Sequence, residues 1–129
     1  MNLDHLKFTK THEWLRVEGK KGTVGITDHA QKEITDVVFV ELPKAGKKVA
    51  QGEEIAVVES VKSAFSIYAP VSGTVTQAND SLTKDPALVN RSPYEEGWIV
   101  ALESSNPSET GALMDAKQYE EWVKGGGGH

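Results

Sequence analysis

The sequence predicts a mainly β fold, a small sandwich or barrel carrying two short helices. Two observations lead there. Short runs rich in β-branched and aromatic residues are separated by closely spaced Gly, Pro and Asn, the pattern of short strands joined by tight turns. No long linker divides the 129 residues, and 38% hydrophobic against 26% charged residues is a composition that buries one ordinary core.

The strand runs, in order, are Thr23–Ile26, Asp36–Leu42, Glu53–Ser60, Phe65–Ala69, Thr74–Gln77 and Trp98–Leu102. In Glu53–Ser60, Ile55 and Val57 alternate with Ala56 and Val58, so both faces are partly apolar, as in a two-layered β fold. Asp28 is read as the cap of a helix over Asp28–Ile34, with Gln31 at the position that reaches back to it. Asp115 plays the same part for Asp115–Val123, with Gln118 at the return position and Ala116, Tyr119, Trp122 and Val123 on one face turned toward the sheet. Leu82–Pro93 carries two prolines and reads as an ordered loop with one helical turn. Residues 1–124 are expected to form one domain, and 125–129 (GGGGH) a flexible Gly-rich tail in which His129 has no role.

Composition narrows the function classes. The formal net charge of −5 argues against a nucleic-acid or anionic-membrane partner, both of which need a basic surface. No apolar run has the length of a membrane span, and the first residues carry neither a signal core nor an Arg/Ser-rich amphipathic stretch. The expected compartment is the cytoplasm, or the mitochondrial matrix if a transit peptide has been removed. With no cysteine, disulfides, thiolate nucleophiles and Cys-based zinc sites are excluded.

The sequence contains neither Gly-x-Ser-x-Gly nor a phosphate-cradling glycine loop. His5, His12 and His29 lack metal-ligand spacing, and His12 and His29 read as surface or capping residues. Glu13, beside Trp14, reads either as an exposed strand charge or as a carboxylate perturbed by an apolar pocket. Glu53-Glu54, Glu95-Glu96 and Glu120-Glu121 read as solvated faces. Lys62 stands apart as the only lysine between Lys48 and Lys84, flanked by a strand run on each side, so a hairpin places it at the tip. The turn Ser60-Val-Lys-Ser63 lacks Gly, Asn and Pro, so turn propensity does not account for that hairpin. The position suits an ordinary exposed lysine or one displayed for covalent modification.

Val57–Lys62 (VVESVK) followed by Tyr68–Gly73 (YAPVSG) resembles the lipoyl-lysine signature of the glycine cleavage H-protein family. Thr11–Trp14, Val24–Gln31, Asp36–Pro43, Leu88–Asn90, Ser92–Tyr94, Gly97-Trp98 and Leu113–Asp115 match stretches typical of that family in the same order, so the resemblance spans roughly residues 7–123. It implies a barrel-sandwich hybrid of the lipoyl-domain kind with a C-terminal helix. It implies lipoate bound covalently at Lys62, recognition of Glu59 by the modifying enzyme, and Glu13 beside the resting place of the loaded arm. The implied role is a carrier rather than an enzyme: it takes an aminomethyl group from glycine decarboxylase (P protein) to the aminomethyltransferase (T protein), and is reoxidised by dihydrolipoamide dehydrogenase (L protein). Loading falls to a lipoate ligase or a lipoyl/octanoyl transferase. The chain departs from the family where Phe65-Ser66 stands in place of a frequent Ser-Asp pair. Other readings are a lipoate relay to other acceptors, a lipoyl or biotinyl domain of a larger complex, an enzyme with Lys62 as Schiff-base nucleophile, and a non-lipoylated interaction module. Biotinyl domains usually show Met-Lys-Met, whereas Lys62 lies between Val61 and Ser63. A Schiff-base lysine needs a desolvating pocket, which a turn between Ser60 and Ser63 does not offer.

Overall fold

A computed structural model describes residue 3 and residues 5–125 of the chain. The tail beyond Gly125 lies outside the described residues. Strands β1 (Leu6–Phe8), β2 (Glu13–Glu18) and β3 (Lys21–Ile26) lead into helix α1 (Asp28–Ile34). Strands β4 (Val37–Glu41), β5 (Lys48–Val49), β6 (Glu54–Ser60), β7 (Ala64–Tyr68) and β8 (Gly73–Ala78) follow. Helical turns α2 (Ser81–Lys84) and α3 (Leu88–Arg91), strand β9 (Val100–Ser104), a 3-10 turn at Pro107–Ala112 and helix α4 (Ala116–Lys124) complete the chain.

The strands form two antiparallel sheets, β1-β2-β3-β9-β8-β5 and β4-β6-β7, and neither closes into a barrel. The main core draws on both sheets. Val24, Val58, Ile99, Val100 and Leu102 are completely buried in it, and Leu82 and Val89 anchor α2 and α3 to the same core. A second apolar cluster lies under α4, where Tyr119 stacks on Phe8 with centroids 4.8 Å apart and Trp122, Val123 and Ala116 join Trp14 and Leu6. The face expected of α4 is therefore the face it buries, and Asp115 and Gln118 form the expected capping box.

Four details differ from the sequence reading. The cap of α1 is Thr27, not Asp28: its hydroxyl accepts from the Ala30 N–H at 3.2 Å, while Asp28 sits in the first turn and accepts from the Gln31 side chain. Strands β1 and β5, of three and two residues, are too short to show a period. Strand β2 was hidden because charged residues occupy both its ends. The Leu82–Pro93 stretch holds most of two helical turns rather than one, each pinned by a fully buried side chain.

Gly73 shows how tightly β8 and β9 approach. A Cβ there would stand 2.2 Å from the Glu103 carbonyl oxygen, which is backbone and has no rotamer by which to yield. Gly73→Ala is expected to destabilise the fold by about 3 kcal/mol, as measured by denaturant unfolding.

Candidate functional site

The β6–β7 hairpin carries Lys62 at its tip, with Val61, Lys62 and Ser63 between the paired strands. Ser60 supplies what the turn lacks in Gly or Asn. Its backbone N–H donates to the Ser63 carbonyl at 2.8 Å. Its hydroxyl accepts from the N–H groups of Lys62 at 3.1 Å and Ser63 at 3.2 Å. A serine hydroxyl that gathers the following amides in this way stabilises a turn on its own.

A second anchor comes from the segment between α1 and β4. The Val61 N–H donates to the Asp36 carbonyl at 3.0 Å. That segment is fixed by Asn90 on α3, which accepts from the Val37 N–H at 2.8 Å and donates to the Thr35 carbonyl at 2.8 Å. Thr35 adopts φ 64°, a left-handed conformation that a non-glycine residue keeps only when its surroundings enforce it. The Lys62 side chain is exposed, and its Nζ rests 3.4 Å from the Glu33 carbonyl in the last turn of α1. Cations are favoured at the carbonyl end of a helix. Ser60, Thr35 and Asn90 thus shape the tip; Ser60 and Asn90 lie in the Glu-Ser-Val-Lys and Leu-Val-Asn stretches, whereas no sequence pattern marks Thr35.

Glu59 lies on the outward face of β6, three residues before Lys62, between Phe39 of β4 and Ala64 of β7. Phe65, on the opposite face, pairs with fully buried Val58 and packs on the main core. Ser66 points outward, and its hydroxyl donates to Glu54. The Phe65-Ser66 pair therefore obeys the strand's two faces, and the acid at this place comes from the neighbouring strand.

Glu13 is fully buried, which corrects the exposed-charge reading. It lies at the start of β2, after the Thr9–His12 turn. Thr9 and Thr11 donate hydroxyls to Oε1, and the Tyr68 N–H donates to Oε2 at 3.2 Å. Burial raises the Glu13 pKa above the ordinary carboxylate value, and these hydrogen bonds work in the opposite direction without cancelling it. Glu13 lines an open pocket of about 240 Å³ with Thr11, Gln51, Tyr68, Leu113 and Met114. Tyr68 is at the base of the hairpin, four strand steps or roughly 13 Å beyond Ala64, so the structure places Glu13 and Lys62 at opposite ends of β7.

His12 is buried rather than on the surface, and it holds φ 70°. Its Nδ1 lies 2.5 Å from the Tyr119 hydroxyl, which also meets Thr27 Oγ1 at 2.8 Å. Burial pushes the Tyr119 hydroxyl up to about 12, so it stays protonated at neutral pH. The C-terminal helix thereby grips the residue next to Glu13. Nothing in the sequence pairs positions 12 and 119 except their shared aromatic character. Among the described residues no group of His, Asp and Glu is arranged to hold a metal ion. The Glu53-Glu54, Glu95-Glu96 and Glu120-Glu121 pairs are exposed, as expected.

Comparison with known proteins gives a consistent result. The family model described as glycine cleavage H-protein matches residues 6–126. The chain is 54% identical over 118 residues to the glycine cleavage system H protein of Legionella pneumophila, covering 92% of this chain and 94% of that protein. It is 49% identical over 122 residues to the mitochondrial glycine cleavage system H protein 2 of Arabidopsis thaliana, covering 95% and 78%. The crystal structure of a glycine cleavage system H protein from Mycobacterium marinum superposes with a TM-score of 0.87 at 32% identity, covering 96% of this chain and 99% of that one.

The raised Glu13 pKa has a sign. The folded state holds this proton more tightly than the unfolded state. The resulting stability is fully present below the ordinary glutamate value of about 4.3 and is lost as pH rises through the folded value. Glu13→Gln removes that dependence. In denaturant titrations at pH 4 and pH 7.5, the stability of the variant relative to wild type is expected to rise with pH.

Proposed function

The chain belongs to the glycine cleavage H-protein family, and we propose that it is the lipoyl carrier of that system, with lipoate joined to Lys62. One observation carries this reading: Lys62 is exposed at the tip of a hairpin whose turn is held by Ser60 and by the Asp36 carbonyl, not by the lysine side chain. An enzyme that acylates an amine has to reach it, and a braced tip presents it at low entropic cost. The existing contact of Nζ, a 3.4 Å approach to one carbonyl, is weak enough to surrender. Forming the amide removes the lysine charge.

When bound, the dithiolane supplies the redox and group-transfer chemistry. The protein supplies position. From Cα to the ring a lipoyl-lysine arm has about eleven bonds at about 1.2 Å each, roughly 13 Å in all. Ala64 to Tyr68 is also about 13 Å of strand. Lys62 lies two residues before Ala64, so an arm laid along the hairpin would bring its ring to about the level of Ser66 and Ile67, with the ring and a group carried on it extending toward Tyr68 and the pocket that Glu13 lines. Glu13 is the group we assign to sheltering an aminomethyl amine there: it is withdrawn from water and fixed by three hydrogen bonds. Glu59, outward on β6 beside the tip, is assigned to recognition by the lipoate ligase or lipoyl/octanoyl transferase.

The chain is on this reading a cofactor-carrying subunit, not an enzyme. Its successive partners are glycine decarboxylase, the aminomethyltransferase and dihydrolipoamide dehydrogenase. Each contact has to be weak for the carrier to move on, while the tether keeps the arm at an effective concentration of about millimolar order. The net charge of −5 favours fast encounters with locally basic partners. The place of action is the cytoplasm or, for an imported protein, the mitochondrial matrix. Among the described residues no helix is long and apolar enough to cross a membrane.

Co-expression with a lipoate ligase and lipoate is expected to add one lipoyl group to the intact mass. Lys62→Arg is expected to show none, and Glu59→Gln to acquire it several-fold more slowly. An unchanged wild-type mass, with the ligase active on another acceptor, overturns the reading. A separate measurement addresses the shelter. Once loaded, Glu13→Gln is expected to release its aminomethyl group faster than wild type, and equal rates would remove that role from Glu13.

A further inference from the structure

We propose that Val38, Phe39 and Val61 form the docking surface for the enzyme that acylates Lys62. This rests on the reading of Lys62 as the modified residue and extends it to residues with no assigned role. Among the described residues the exposed large hydrophobics are Val17, Val38, Phe39, Val61 and Tyr68. Three of them gather at the hairpin tip and the adjoining strand. Val61, beside Lys62, is 68% exposed, Val38 54% and Phe39 46%.

The backbone maintains that exposure. Val37-Val-Phe-Val40 is a continuous apolar run, of the kind expected in a strand buried on both faces. The register between β4 and β6 shifts between Val37 and Phe39, so that Val37 and Val40 are buried while the two residues between them both face solvent. A bulge re-aims side chains in this way and is costly to keep without a use. The segment is also braced: Asn90 fixes the Val37 N–H, and the Asp36 carbonyl accepts from Val61. The apolar residues and the lysine thus ride on one rigid frame.

The occupant follows from the reach of the lysine. An extended lysine side chain spans about 6 Å from Cα to Nζ, so an acylating active site has to close over the tip. Phe39 pairs with Glu59, one strand across and three residues down from Lys62, roughly 11 Å away. A standard interface covers about 800 Å² per partner, a disc of roughly 16 Å radius. Centred on Lys62, that disc includes Val38, Phe39 and Val61, and the centre of an interface is where exposed apolar and aromatic side chains contribute most. Glu59 pairs across from Phe39, the Asp36 carbonyl accepts from Val61 and the Glu33 carbonyl from the Lys62 amine, so three acidic residues border the patch. The complementary surface is an apolar slot with a basic rim.

The test measures lipoate incorporation into the full-length chain by a lipoate ligase with lipoate and ATP, at carrier concentrations spanning KM. Phe39→Ser and Val61→Ser remove apolar area without adding charge. Each is expected to lower kcat/KM about tenfold, chiefly through KM, with little change in Tm because both side chains face solvent. Val17→Ser, at an exposed valine on β2 away from the tip, is expected to match wild type. If Phe39→Ser and Val61→Ser are acylated like wild type while Lys62→Arg is not, the docking surface is wrong and the carrier reading stands. If wild type sediments as a dimer that Phe39→Ser dissociates with acylation unchanged, the patch belongs to a second copy and the proposal is overturned. If wild type itself is not acylated by an active ligase, carrier and docking surface fall together.

Discussion

A lysine side chain exposed at a hairpin tip leaves its turn to be held by other groups. The structure meets that constraint with the hydroxyl of Ser60, which gathers the Lys62 and Ser63 amides while the Ser60 N–H closes on the Ser63 carbonyl. Everything near the tip depends on this. With the turn fixed by a residue that is itself buried, the lysine is left with one long contact to the Glu33 carbonyl. The strain at Thr35 belongs to the same frame: a positive φ of this kind costs on the order of 1–3 kcal/mol, and Asn90 holds the segment by bonding backbone on both sides of Asp36.

The other end of the hairpin is organised by a different buried network. Glu13 is out of water and held by Thr9, Thr11 and the Tyr68 amide. His12, next to it, is in a left-handed conformation and is clamped by Tyr119 from α4. Strand β7 links the two ends. Its inward residues, Phe65 and Ile67, pack on the core, and its outward residue Ser66 bonds Glu54. The hairpin thus joins the exposed lysine at one end to the buried Glu13 network at the other.

Burial decides the chemistry of the acids. Glu13 and Glu59 carry the same functional group, yet Glu13 is fully buried, and that burial raises its pKa. Glu59 stays on the outward face of β6, between Phe39 and Ala64, where a partner can reach it. The difference lies in strand register, since inward and outward positions alternate residue by residue.

The sequence by itself determined much of this protein. The strand runs, the capping box at Asp115 and Gln118, the apolar face of α4 and the hairpin around Lys62 are all local patterns, set by residues within a few positions of each other. The absence of cysteine and the acidic balance are likewise properties of composition. What the sequence left open depended on partners distant in the chain. Thr27 displaced Asp28 as the cap of α1 in a buried setting where its hydroxyl also meets Tyr119. The burial of Glu13 depends on the fold bringing Tyr68, 55 residues away, to bond it. The outward turn of Val38 and Phe39 comes from a register shift against β6 that no local period announces. Local propensity and patterning act between near neighbours, whereas burial, register and the pairing of buried polar groups are fixed only when the two sheets and α4 close on one another.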